Sequence, residues 1–109
     1  MHNPHGEAIA AAALKYYIKD PETKELVEYI EQASCHAYCF ETAYMRHEAA
    51  FFNRNKDLDV QGFITNTGRF VDRKEDCLIA RAADQFKPAM YDPDKDWLDS
   101  YQINFRTVK

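Results

Sequence analysis

The sequence predicts a small α+β domain. Three observations carry that expectation: a length of 109 residues, two segments with helical periodicity, and short segments in which apolar and polar residues alternate. Hydrophobic residues make up 46% and charged residues 29%, the balance of a globular chain with one modest core rather than of a disordered one. A single domain is therefore expected over residues 1–109.

The elements follow in chain order. "EAIAAAALKYYIKD" is open between two states, because alanine favours helix while Tyr16, Tyr17 and Ile18 suit a strand. "DPETKEL" is open as well: Asp20 can cap a helix with Pro21 at its first position, or the segment can form a polar hairpin turn. In "LVEYIEQAS", Val27, Tyr29 and Glu31 alternate with Glu28 and Ile30, yet Leu26, Ile30 and Ala33 also fit a helix. "SCHAYCFETAYMRHEAAFF" predicts a helix that places Phe40, Tyr44, His47 and Phe51 on one stripe after a Ser34 cap. "NRNKDLD" reads as a loop, "VQGFIT" as a short strand and "NTG" as a turn, after which "RFV" is a second strand or a direct lead into the next helix. Asp72 and Glu75 make a D-x-x-E start for that helix, whose buried face is Ile79, Ala82, Ala83 and Phe86. Pro88 closes it. "YDPDKDWLDS" then reads as an acidic loop, and "YQINFRT" as a final strand with Tyr101, Ile103 and Phe105 on one side.

Charge narrows the partners. A net charge of −4 disfavours a general grip on duplex nucleic acid or an anionic membrane, while leaving room for a local arginine cluster that holds one small anion. Seven Phe, seven Tyr and one Trp are many rings for so small a core, and predict some of them exposed or held at a homo-oligomer contact. No run of about 18 apolar residues is present, and "MHNPHGEAIAAAAL" lacks the basic flank of a secretory signal, so a cytoplasmic protein with no membrane span is expected. Cys35, Cys39 and Cys77 are an odd number, too few for a disulfide framework, and reduced thiols follow.

Most candidate chemistry fails on geometry. Cys35 and Cys39 lie one helical turn apart, but His36 and His47 are about 16 Å apart along a helix and cannot share an ion. No metal or other cofactor is expected. Asp92, Asp94 and Asp96 alternate as in a calcium loop, yet Trp97 stands where that loop needs glycine and Ile103 where it needs glutamate. No flanking pattern supports a Cys–His nucleophile, and the acidic residues suit a solvated surface better than a hydrolase pair.

The stretch "VQGFITNTGRFVDRKE" is different. Gly62 allows the chain to start or kink the strand, Asn66 and Gly68 permit a positive φ in the turn, and Arg69 and Arg73 bracket a helix start whose first N–H groups point outward. Guanidinium groups there suit phosphate, and Phe63, Phe70 or a neighbouring Tyr could stack on a base. The alternative is surface pairing of Arg69 and Arg73 with Asp72, Glu75 or Asp76.

The same residues carry a resemblance. Gly62, Phe63, Gly68, Arg69, Phe70, Asp72, Arg73 and Glu75, followed by "IA" and Gln85, together with "AIAAAALKY" and "SCHAYCF" further upstream, resemble the Thoeris anti-defence 1 family of small phage proteins. The close match spans about a fifth of the chain and the weaker upstream match about a quarter more. Asp76 departs from the pattern, which has alanine there, and "YMRHEAAFFNRNK" is more charged than the family's connection. The resemblance implies strands for "IAAAALKYY" and "LVEYIEQA", joined as a hairpin through "DPETKE", and hence an antiparallel sheet packed with two main helices. It also implies a homo-oligomer that holds ligand where subunits meet.

The function so implied is that of a sponge, which sequesters a cyclic nucleotide immune signal, a cyclic ADP-ribose isomer or a cyclic oligonucleotide, without cleaving it. Under this expectation the ligand-binding residues are Arg69 and Arg73 for phosphate, Thr65 and Asn66 for ribose or base, Phe63 or Phe70 for stacking, and His36 as a further polar contact, with no catalytic residue. The alternative is a phage inhibitor that binds a host protein directly through aromatic and acidic surface. An enzyme acting on a nucleotide lacks a visible nucleophile, metal set or acid–base pair.

Overall fold

The computed structural model describes residues 6–85. Their order is β1 (Ile9–Lys19), β2 (Leu26–Ala33), α1 (His36–His47), α2 (Ala49–Phe52), a 3-10 turn at Lys56–Leu58, β3 (Val60–Thr65), β4 (Phe70–Val71) and α3 (Arg73–Ala82). The strands form one antiparallel sheet in the order β2-β1-β3-β4. The α+β class is as expected, with α1 and α3 as its main helices. Phe86, Pro88, the acidic loop and the final strand around Tyr101 lie outside the described residues.

The N-terminal ambiguity resolves to a hairpin. Asp20 accepts backbone hydrogen bonds from Glu22 (2.8 Å) and Thr23 (3.0 Å) through Oδ1, while Lys24 takes a φ of 66° to close the turn. These hydrogen bonds, that from Thr23 foremost, hold the Asp20 carboxyl below its ordinary pKa. The alanine run becomes a strand against its own propensity because β1 is central, paired on both edges. Ala12 and Ala13 are fully buried, and the small side chain at Ala12 lets α1 come close enough for the Cys39 Sγ–H to reach the Ala12 carbonyl at 3.6 Å.

Register sets the core. Leu14 lies opposite Glu31, and Tyr16 opposite Tyr29, while Ala12 stands between Ala33 and Phe63, so the strand period of two gathers these side chains on one face. Tyr16 is its centre: its ring stacks on Tyr29 at 5.6 Å and meets the edges of His47 (5.6 Å) and Phe51 (5.2 Å). Its hydroxyl donates to Glu31 Oε2 at 2.6 Å, and Arg46 reaches the same oxygen at 2.9 Å. Burial, with the Glu31 bond second, raises the Tyr16 pKa well above the usual phenol range.

The helical stripe differs from the expectation. Cys35, not Ser34, is the N-cap of α1 and makes no side-chain capping bond, and the buried positions are His36, Cys39 and Ala43. Tyr44 is exposed. Phe51 does reach the core, but from α2, because the chain breaks at Glu48 instead of continuing as one helix. In α3 the buried residues are Asp76, Cys77 and Ala80; Ile79 and Ala82 are half-buried.

Gln85 ties the end of α3 to the start of β1. Its amide donates to the Ile9 carbonyl and accepts from the Ile9 N–H, both at 2.8 Å, beside an irregularity in the β1–β3 ladder between Ile9 and Ala11. The side chain thus supplies hydrogen bonds that a strand neighbour otherwise makes. Gln85→Ala is expected to leave both buried Ile9 groups unpaired and to cost about 2 kcal/mol in a urea unfolding curve; an unchanged midpoint would show that water takes over the bonds.

Candidate functional site

The β3–β4 hairpin and the first turn of α3 form the candidate site. Its turn is built from its own polar atoms. Thr65 N–H donates to the Arg69 carbonyl (2.9 Å) and Gly68 N–H to the Thr65 carbonyl (2.9 Å), and Gly68 has a φ of 88°, which a residue with a Cβ resists. The buried Thr65 Oγ1 accepts from the N–H groups of Thr67 (3.3 Å) and Arg69 (3.2 Å) and lies 2.8 Å from Thr67 Oγ1. Asn66 does not adopt positive φ; instead Oδ1 accepts from Ala8 N–H (2.9 Å) and Nδ2 donates to the Gly6 carbonyl (3.1 Å). These bonds fasten the turn to the segment before β1.

Arg69 is clamped between two carboxylates. Nε and Nη2 donate to Glu7 at 3.2 and 2.8 Å, and Nη1 donates to Glu75. Pairing with Glu75 was one of the alternatives in the sequence; the Glu7 contact, 62 residues away, was not legible there. The Glu7 bond, then the Glu75 bond, raises the Arg69 pKa further above its ordinary value, and the Arg69 bond lowers that of Glu7 against the effect of burial. A phosphate at Arg69 would have to compete with both carboxylates.

Arg73 occupies the first position of α3, half-buried, and donates to Gln61 Oε1 at 2.9 Å. Asp72 caps the helix by accepting from Glu75 N–H at 2.8 Å, as the D-x-x-E start predicts, while the Glu75 side chain turns to Arg69. Phe70 is half-buried, with Lys15 Nζ 4.5 Å above its ring centroid. The hairpin and helix start thus bring Thr65, Asn66, Arg69 and Arg73 together, whereas Phe70, opposite Ile64 in the ladder, lies with Lys15 on the other face of the sheet from Phe63 and Gln61.

Phe63 and His36 lie beneath that surface. Phe63 is fully buried and meets the His36 ring edge-on at 5.1 Å, so it presents no face for a base. His36 is buried and its Nε2–H donates to the Gly62 carbonyl at 2.8 Å, which secures β3 from below. Lys15 and Gln61 are the groups that sequence reasoning missed; their place comes from strand pairing, Lys15 opposite Val60 and Gln61 opposite Leu14.

A buried acid has no structural match. Asp76, on α3 one turn after its cap, is fully buried and both its carboxyl oxygens lack a hydrogen-bond partner among the described residues. Burial, reinforced by Asp72 and opposed by Arg73, pushes its pKa up to about 8. Cys39 and Cys77 are buried thiols, Cys39 with a pKa pushed up to about 11 chiefly by burial. Among the described residues no three His, Cys, Asp or Glu side chains gather as metal ligands, and no helix is long and apolar enough to cross a membrane.

The fold and its hairpin therefore define a small sheet-and-helix domain with an arginine-bearing turn. The chain belongs to the phage T4 y16D protein family, whose model matches residues 8–102. No curated protein and no solved structure gives a significant match.

Proposed function

We propose that this phage protein is a non-catalytic binder that sequesters a small cyclic nucleotide signal in the bacterial cytoplasm and grips its phosphate at the β3–β4 turn and the start of α3. The observation that carries the proposal is the placement of Arg69 and Arg73 on one rigid unit, Arg69 at the end of the hairpin turn and Arg73 at the first residue of α3. Planar donors beside a helix N-terminus suit a phosphate. Phe70, under Lys15, lies on the other face of the sheet, and stacks a base only in a ligand that wraps the β4 edge. Thr65 and Asn66 act as builders of the turn and His36 as a support of β3, because their polar atoms are engaged inside the protein. The resemblance to the Thoeris anti-defence 1 family supports the cyclic nucleotide class and a homo-oligomer with sites where subunits meet.

Isothermal titration with cyclic ADP-ribose isomers and with cyclic di- and trinucleotides tests this. Sub-micromolar binding is expected, with the ligand recovered intact after the complex is heated. Arg73→Ala is expected to weaken that binding about tenfold or more, the loss of a charge-assisted contact, while the protein stays folded in a thermal melt. Unchanged affinity would remove Arg73 from the site, altered ligand would indicate an enzyme, and the absence of binding to every compound would refute the sponge.

A further inference from the structure

Among the described residues β2 ends the sheet, and its outer edge is long and open. Its eight residues, Leu26–Ala33, pair with β1 in unbroken register from Lys19 opposite Leu26 to Ala12 opposite Ala33, and no described strand lies on the other side. Along an antiparallel strand, alternate residues turn their backbone groups toward a given neighbour. The Asp20 N–H donates to the Glu25 carbonyl at 2.8 Å, so Val27, Tyr29, Glu31 and Ala33 address β1 in the same phase. The N–H and C=O groups of Leu26, Glu28, Ile30 and Gln32 therefore point outward. Of the usual guards against edge pairing, β2 has no proline, lysine or bulge and is not short. Its charges are glutamates, and these fix a register instead.

Apolar side chains flank this edge. Leu26, Val27 and Ile30 are 56%, 36% and 38% exposed. On the Val27 side of the sheet, α1 straddles β1 and β2: Cys39 reaches the Ala12 carbonyl, the His47 ring lies 4.4 Å from that of Tyr29, and Arg46 extends to Glu31. Around the helix from Arg46 toward solvent, Tyr38, Thr42 and Met45 form one stripe at i, i+4 and i+7. Tyr38 and Met45 are 57% and 72% exposed, on a stripe that in an ordinary surface helix is polar.

We propose that β2 pairs antiparallel with β2 of a second copy of the chain about a two-fold axis at Ile30, joining two four-stranded sheets into one. Ile30 then meets Ile30, Glu28 meets the Gln32 amide, Tyr29 meets Glu31, and Val27 meets Ala33. The outward groups of Glu28, Ile30 and Gln32 make three narrow pairs, about six hydrogen bonds. An axis at Glu28 or at Glu31 sets two carboxylates against each other, and one at Tyr29 sets Val27 against Glu31. The helices fit the same axis. With strands about 4.8 Å apart, a helix straddling β1 and β2 stands roughly 5 Å from the axis, which leaves roughly 10 Å between the two copies of α1, the spacing of packed helices. Tyr38 of each copy then faces Met45 of the other, ring against sulfur. The arginine turn lies at the opposite end of the sheet, beside β4, so this contact is distinct from one that brings two turns together, and it stands whether or not nucleotide binds.

Sedimentation equilibrium of the full chain tests the pairing. The parent protein is expected at twice its 12.7 kDa mass, and Ile30→Pro as a monomer. Proline there removes an outward N–H and no hydrogen bond to β1, and circular dichroism checks that the monomer is folded. Gln32→Lys and Gln32→Glu, at an exposed position, decide the matter if Ile30→Pro unfolds. Opposite Glu28, the lysine variant is expected to tighten the dimer about fivefold and the glutamate variant to weaken it about fivefold. Phe52→Ser, beside Tyr44 on the other flank of α1, is expected to dimerise as the parent does. A monomeric parent, a dimer that survives Ile30→Pro, equal association of the two Gln32 variants, or a folded but monomeric Phe52→Ser would overturn the proposal.

Discussion

Gly62→Ala is expected to destabilise the fold by at least about 3 kcal/mol. A Cβ at Gly62 would lie 2.3 Å from the Val71 carbonyl oxygen and 2.6 Å from Phe70 Cζ. The phenyl ring can swing aside, whereas the Val71 oxygen is backbone, in a strand of two residues paired to β3 only at Phe63 and Ile64. Relieving the clash therefore displaces β4, and with it the start of α3. The Gly62 carbonyl meanwhile accepts the buried His36 bond, which limits movement of β3 in the other direction. Gly68 provides the comparison: a Cβ there meets nothing within 4 Å, but its φ of 88° makes Gly68→Ala cost about 1–2 kcal/mol in backbone strain alone. Urea unfolding of the two variants should rank Gly62→Ala as the more damaging; the reverse order would mean that β4 yields easily.

Asp76→Asn is expected to stabilise the protein at neutral pH by about 2–4 kcal/mol. The folded pKa of about 8 lies above that of an unfolded aspartate near 4, so between those values the folded chain holds a proton that the unfolded chain has released. The stability associated with the neutral acid is complete below about pH 4, declines as pH rises, and is gone above about pH 8. Asparagine cannot ionise, and its amide fills nearly the same space. His47 titrates in the opposite sense: its Nε2 is buried without a hydrogen-bond partner among the described residues, burial and then Arg46 lower its pKa, and its contribution is lost as pH falls below about 6.5. Because both proteins carry His47, the difference between their unfolding free energies isolates Asp76. That difference should widen by about 3 kcal/mol between pH 5 and pH 8. Parallel curves would show that the Asp76 carboxyl is solvated or paired.

Asp76 also illustrates why the site was only partly readable. At the sequence level it was one of several acids near a helix start, a place where negative charge is ordinarily favourable. The structure turns it inward, where no described residue gives it a hydrogen bond. A buried acid held at such a cost in the turn that carries Arg73 is the kind of local conflict expected where function constrains a fold.

The sequence by itself determined the α+β class, the β3 strand, the D-x-x-E start of α3, the tight turn at Gly68 and the arginines that bracket it, because each rests on a preference local to a few residues. It also placed a helix after Ser34, though with the wrong cap and a stripe that ran through a break at Glu48. The state of residues 9–33 was decided by long-range pairing, since an alanine-rich strand is stable only when both its edges are satisfied, and no local propensity reports that. The clamp of Glu7 on Arg69, the Gln85 bridge to Ile9, the burial of Phe63 and His36, and the presence of Lys15 over Phe70 join residues from 26 to 76 positions apart. Only the register of the sheet and the packing of α1 and α3 onto it bring those groups within a few ångströms, and that proximity decides which of the predicted site residues face solvent and which hold the turn in place.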